Sequence, residues 1–296
     1  MEDNRKICVL MSTYNGEKYI REQLDSILAQ ENVDVSILIR DDGSKDATLS
    51  ILDEYCKRDN VHYYVDSRNL GACNSFIDLM WHVSLDYDYY ALSDQDDFWL
   101  KDKLSTGVEF LENNSSYGIY SSYYTMVDEK LEPIANNIDK NRHEPTFGNA
   151  MIDSQVTGCT VVMTKAFLEK VRSYKKPKHQ YIHDWWLYKV GMLYDALYID
   201  KQSKILYRQH GSNTIGLDGG FIQRTKRIIS NSKKMKQAVM SQNEEFVEIY
   251  PLNDKQKEIF DIVNKKKGIL KLLFAKDISR RSTIDTIIYK LWMATW

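Results

Sequence analysis

The chain has no run of eighteen apolar residues, the length that reads as a helix crossing a bilayer. Four prolines and thirteen glycines are too few for long disordered linkers. The four cysteines, Cys8, Cys56, Cys73 and Cys159, form no CxxC pair. That spacing indicates neither a zinc site nor a disulfide framework, so reduced and mostly buried thiols are expected. Neither GxGxxG nor GxxxxGK[ST] stands at the first strand–helix turns, which counts against dinucleotide and P-loop sites. The apolar run in MEDNRKICVLMS is too short for a secretory signal, so a cytoplasmic location is expected.

What is present is ordinary globular material: 296 residues, 43% hydrophobic and 28% charged, enough for one large domain or a domain with an appendage. The net charge of −2 conceals an asymmetry, because residues 221–296 carry +8 and the first 220 residues carry −10. A basic tail on an acidic body separates two functional regions. The acidic body argues against nucleic acid as a partner.

Apolar runs and helical periodicities alternate through the first hundred residues. KICVLMS, VSILIR, VHYYVD and YDYYALS read as strands. EKYIREQLDSILAQ, ATLSILDEYCKR and NLGACNSFIDLMWHV read as helices between them. Such alternation implies a Rossmann-like, mostly parallel α/β sheet with helices on both faces, and ligands bind beyond the carboxyl ends of its strands. STYNG, DDGS, SRNLG and SDQDD would then share one rim. Further on, YGIYSSYYTMVD and VTGCTVVMT read as strands and IHDWWLYKVGML as a helix. ALYID and KILYRQHG read as a hairpin, and helical patterns dominate from Phe221. The expected division is a catalytic domain over residues 1–220 and a basic helical region over 221–296.

The cluster in SDQDDFW holds three carboxylates within four positions, which repel one another unless a positive charge sits among them. In an extended strand end Asp94 and Asp96 face the same side. Carboxylates completed by diphosphate oxygens are how Mg²⁺ or Mn²⁺ is commonly held. The alternative is helix capping, for which Asp97 is placed. Asp41 and Asp42, at the next strand end, suit hydrogen bonds to a nucleobase or ribose, with a capped turn as the alternative.

Taken in order, STYNGEKYIREQLDSILAQ, IRDDGSKDATL, RNLGACNSF and SDQDDFW resemble the catalytic domain of glycosyltransferase family 2, of the GT-A fold. The later IHDWW and YRQHGSNTIG resemble the bacterial rhamnosyltransferases that build surface polysaccharides. The resemblance runs from about residue 5 to 216 and implies an inverting, metal-dependent glycosyltransferase. It implies that Thr13 and Tyr14 touch the nucleoside and that Asp42 binds base or ribose. Arg68 and Asn69 would lie near base and diphosphate. Asp94-Gln95-Asp96 would stand as the DxD motif, with Asp94 and Gln95 on the donor and Asp96 on the metal, a register through Asp97 remaining open. His210 would return to the metal or a phosphate, the alternative being a structural histidine at a strand end. The loop GSNTIGLDGG after it reads as one that closes over donor.

Direct displacement at an anomeric carbon needs a base for the acceptor hydroxyl. Asp184 matches the family's base, although His183 stands before it where the family usually has an acidic residue. Trp185 and Trp186 can stack on acceptor sugar faces or pack beneath their helix. The implied donor is dTDP-L-rhamnose or a UDP-hexose, and the implied acceptor is a glycan on a lipid carrier. Lys and Arg mixed with Leu, Ile, Phe, Trp292 and Trp296 in the tail fit a helix lying on the inner face of the membrane. A basic cap on the catalytic domain is the alternative. A non-catalytic sugar-nucleotide-binding assembly protein is the competing function.

Overall fold

The structure, a computed structural model, describes residues 5–66, 68–136, 143–178, 182–210, 237–264, 269–280 and 283–294. By its internal contacts the chain forms two compact units. The first is drawn from Met1–Ile138, Val156–Lys176 and Ala196–Asn213, and the second from Asp139–Gln155, Pro177–Asp195 and Thr214–Trp296. Two segments upstream of residue 220 thus lie in the same unit as the C-terminal helices.

In the first unit the apolar runs are strands because β-branched residues alternate with polar ones or are covered on both faces. The order begins β1 (Lys6–Thr13), α1 (Ile20–Leu28), β2 (Asp34–Asp41), α2 (Thr48–Tyr55), β3 (Val61–Val65), α3 (Gly71–His82) and β4 (Tyr89–Ser93). It continues through β5 (Phe98–Trp99), α4 (Lys103–Asn113), β6 (Ile119–Val127) and β7 (Pro133–Asn136). After the second unit's α5 (Phe147–Ala150) come β8 (Val162–Thr164) and α6 (Lys165–Arg172). The second unit's α7 (His183–Leu193) then precedes β9 (Leu197–Arg208). The strands form one sheet in the order β3-β2-β1-β4-β8-β6-β9-β5, with β7 on β6. β1 to β4, β6 and β9 run one way, and β5, β7 and β8 run against them. This is the mixed, mostly parallel α/β sheet that the alternation implies. Ile7, Val9 and Met11 of β1 and Ile37 and Ile39 of β2 sit at 0% exposure in its core.

The expected hairpin over residues 196–211 is instead the single strand β9, parallel to β6 from Ile119↔Leu197 to Val127↔Arg208. The polar Asp200–Ser203 stretch, which reads as a turn, is absorbed by a register shift between Ser122 and Tyr123. The strand therefore continues and delivers Arg208 and His210 to the rim.

The second unit is helical. It holds α5, α7, α8 (237–249), α9 (Asp254–Asn264), α10 (Ile269–Phe274) and α11 (Thr283–Ala294). α7 is buried along its whole length, as its lack of a polar face requires. Trp186 packs on Phe246 and Tyr250, with ring centroids 5.2 and 5.9 Å away. The loop GSNTIGLDGG, the basic stretch 224–236 and Trp296 lie outside the described residues.

Candidate functional site

The rim is built where β1, β2 and β4 end. Asn15 takes a left-handed conformation (φ 48°) that turns the chain after β1. The loop is laced to the one after β2: Asn15 N donates to Ser44 Oγ at 2.9 Å, Lys45 N to Asn15 Oδ1 at 2.8 Å, and Gly16 N to Thr48 Oγ1 at 2.8 Å. Gly43, at φ +90°, allows the second turn. Asp41 closes that turn by accepting from the backbone of Gly43 at 3.0 Å and Ser44 at 2.8 Å.

Gln95 straps the first loop. Its Oε1 accepts from Thr13 Oγ1 at 2.6 Å and Tyr14 N at 2.9 Å, while its Nε2 donates to Tyr14 O at 3.2 Å. A Cβ on Gly16 would stand 2.4 Å from Gln95 Oε1, so only glycine admits the strap undisturbed. Thr13 is buried and holds Gln95, whereas the Tyr14 side chain is 46% exposed.

Asp42 is buried, and its carboxylate is already engaged. It accepts from Leu70 N and Gly71 N, each at 2.8 Å, and pairs with Arg40 Nη1 at 2.5 Å. Arg40 is fully buried, also donates to Ser75 Oγ at 2.7 Å and Arg68 O at 3.3 Å, and lies 3.4 and 3.6 Å from Asp66 and Asp78. The Asp42 side chain therefore shapes the 66–71 loop. Asn69 Nδ2 donates to Asp42 O at 3.2 Å, and the exposed Arg68 pairs with Asp66 at 3.0 Å. Sequence reading passed over Arg40. Its signal was a cation at the end of the apolar run VSILIR, where burial requires an anionic partner.

At the acidic cluster the residues separate by burial. His210 Nε2 lies 2.9 Å from Asp96 Oδ2, and its ring stacks on Tyr19 with centroids 4.9 Å apart. Asp97 is buried. Burial first, then the charges of Asp96 and Asp94, push its pKa well above the usual carboxylate range. Asp94, Asp97 and Cys159 bring ligand atoms within 4.8 Å of one another, but burial also holds the Cys159 thiol well above its ordinary pKa. Cys159 offers sulfur, a soft donor poorly matched to a hard cation. Asp96 with His210 offers a carboxylate oxygen and an imidazole nitrogen instead.

Positive charge enters the cluster from the end of β9. Arg208 is buried and donates Nε to Asp96 O at 2.9 Å, Nη1 to Glu129 O at 2.5 Å, and its backbone N to Asp97 Oδ1 at 3.2 Å. It pairs with Glu22 and lies over the Tyr19 ring at 4.7 Å. In YRQH the arginine and histidine are two apart on a strand, so they share a face, and that period was the signal for Arg208. Lys103 sits behind, buried with Nζ 3.4 Å from the Trp99 ring centroid, and burial lowers its pKa to about 7.

In the second unit Asp184 occupies the first turn of α7 and is 8% exposed. Trp185 donates Nε1 to Ala150 O at 2.6 Å and is 6% exposed, and Trp186 is fully buried. Both rings pack within the second unit.

A family model described as glycosyl transferase family 2 matches residues 8–195. The dTDP-rhamnosyl transferase RfbG of Shigella flexneri is 36% identical over 232 residues, spanning 74% of this chain and 78% of that protein. Among solved structures, S. aureus TarS 1-349 in complex with UDP-GlcNAc aligns with a TM-score of 0.63 at 16% identity, covering 92% of this chain and 76% of that one. The mannosyltransferase PcManGT from Pyrobaculum calidifontis, in complex with GDP-Man and Mn²⁺, aligns at 0.55 and 14% identity, covering 99% and 76%. At such identities these two likenesses speak for the fold.

Proposed function

The chain belongs to glycosyl transferase family 2 and is a glycosyltransferase; on that premise we propose that it moves L-rhamnose from dTDP-rhamnose, with inversion and a divalent cation, to a glycan on a lipid carrier. The observation that carries the reading is the approach of His210 to Asp96, 2.9 Å apart at the rim. The 36% identity to a protein named as a dTDP-rhamnosyl transferase supports the donor. A Bacillus subtilis protein named as a putative teichuronic acid biosynthesis glycosyltransferase, 30% identical over 161 residues, supports a glycan product.

Asp96 and His210 fit a resident Mn²⁺ or Mg²⁺ by donor chemistry, one carboxylate oxygen and one imidazole nitrogen, with Arg208 holding the Asp96 backbone and Tyr19 stacked on the imidazole. Bound there, the ion would supply positive charge to the donor's diphosphate as the nucleotide leaves. Gln95 holds the Thr13–Tyr14 loop in place to receive the nucleoside, while Tyr14 is free to lie against it. Arg40 and Asp42 fix the 66–71 loop so that Arg68 and Asn69 meet base and diphosphate. Asp94 takes ribose or donor-sugar hydroxyls. Asp184 is the general base: it removes the acceptor hydroxyl's proton as that oxygen bonds the anomeric carbon and the bond to the diphosphate breaks. The protein would work on the inner face of the membrane, where a lipid carrier presents its glycan.

A panel of nucleotide sugars incubated with Mn²⁺, with nucleoside diphosphate release as the readout, tests this. The fastest release is expected from dTDP-rhamnose. Faster release from a UDP-hexose contradicts the donor. Binding without release from any donor, with acceptor glycan present, contradicts transfer and favours an assembly role.

A further inference from the structure

His210 stands just past the last rung of the sheet. β9 pairs with β6 as far as Val127↔Arg208, and Gln209 N donates to Val127 O at 2.8 Å. The next residue carries the imidazole that lies 2.9 Å from Asp96 Oδ2. Two side chains of the first unit support it there.

The first is Arg208, whose three guanidinium nitrogens are divided among three parts of the unit. Nε donates to Asp96 O at 2.9 Å, Nη1 to Glu129 O at 2.5 Å in the turn after β6, and Nη2 pairs with Glu22 on α1. The backbone N of Arg208 donates to Asp97 Oδ1 at 3.2 Å. One buried side chain thereby fixes the end of β9 against the residue that His210 faces. Lysine has a single nitrogen and no planar fork, so it cannot reproduce that division.

The second is Tyr19, the residue before α1, whose backbone N donates to Gly16 O at 3.1 Å in the loop after β1. Its ring stacks on the imidazole with centroids 4.9 Å apart and planes 26° apart. The Arg208 guanidinium carbon lies 4.7 Å from the same centroid. Guanidinium and imidazole, two residues apart in sequence, thus rest on one aromatic ring.

We propose that Arg208 and Tyr19 are positioning residues for the cation, holding the His210 ring so that its Nε2 meets Asp96. Both act through Asp96 and His210 and not as ligands. The inference rests on the cation reading of that pair and names what makes its two members converge.

Mn²⁺ titrated calorimetrically into the full chain with dTDP, and pulsed electron paramagnetic resonance of the bound ion, test it. In wild type the resonance should show coupling to an imidazole nitrogen. Loss of a group that orients a metal ligand weakens metal binding by about 10–100-fold, and Arg208→Lys and Tyr19→Leu should each do so. Each should also lose the nitrogen coupling, while dTDP affinity without metal stays that of wild type. Tyr19→Phe retains the ring and should keep both readouts. A change that only loosens the fold would lower the melting temperature and leave the nitrogen coupling of bound Mn²⁺ in place. If Arg208→Lys and Tyr19→Leu bind Mn²⁺ like wild type with the coupling intact, the inference is overturned and the cation reading stands. Tyr19→Phe falling as far as Tyr19→Leu also overturns it. Wild type whose bound Mn²⁺ shows no nitrogen coupling contradicts the cation reading itself, and the inference with it. Where Arg208→Lys does not fold, the contrast between Tyr19→Leu and Tyr19→Phe decides alone.

Discussion

Arg40 Nη1 stands 2.5 Å from Asp42 Oδ1 with both side chains buried, and that pair anchors the loop from Asp66 to Gly71. A buried charge that loses its partner is costly, typically about 3–5 kcal/mol. Arg40→Ala should therefore lower unfolding stability by about that amount, and nucleoside diphosphate affinity should fall because the Leu70–Gly71 turn loses its anchor. Arg40→Lys keeps the charge without the planar fork and should fall between. Urea unfolding and calorimetry check both. Equal stability and affinity in all three proteins would make Arg40 dispensable.

Gly16→Ala tests the Gln95 strap. The new methyl would lie 2.4 Å from Gln95 Oε1, a flexible side-chain end that can move aside at modest cost to the fold. What is lost is the set of bonds to Thr13 and Tyr14. At about 1 kcal/mol for each net hydrogen bond, the three bonds amount to about 3 kcal/mol at most, so donor KM should rise by up to about a hundredfold and the melting temperature should fall. Unchanged KM would separate the strap from donor binding.

His183 gives the second unit a pH signature. Burial lowers its pKa to about 3 from an ordinary 6.5, so the folded chain holds it neutral while the unfolded chain protonates it below pH 6.5. The unfolded state then binds the extra proton, so this contribution is fully present above pH 6.5 and is lost as pH falls toward 3. The slope is at most about 1.4 kcal/mol per pH unit. Thermal melts across that window should show a smaller acid loss in His183→Gln than in wild type.

Much of this was legible in the sequence for physical reasons. Apolar runs and helical periods located β1 to β4 and the intervening helices because each element buries one face. Asp96 and His210, 114 positions apart, were paired through resemblance, since no local period links them. The polar Asp200–Ser203 stretch reads as a turn because solvent-facing polarity and a parallel bulge look alike along one chain. Arg40, Arg208 and Lys103 were passed over because a buried cation is recognisable only once its surroundings are assembled. The twin tryptophans invite a sugar-stacking reading, and the burial of α7 along its length is visible only once its packing partners are assembled.

Asp184→Asn should leave nucleoside diphosphate affinity near wild type and lower transfer by about 10²–10⁴-fold, the usual range for a positioned base. Single-turnover transfer with calorimetry of nucleotide binding checks it. A parallel loss of nucleotide affinity would assign Asp184 to the fold or to the donor site instead.

The central claim is that Asp96 and His210 together hold the cation that binds the donor diphosphate. Calorimetric titration of nucleoside diphosphate with and without Mn²⁺ tests it directly, in wild type, Asp96→Asn and His210→Ala. Wild type should bind far more tightly with Mn²⁺, and each variant should lose most of that difference while keeping its metal-free affinity. A Mn²⁺ enhancement that survives undiminished in both variants would contradict the account.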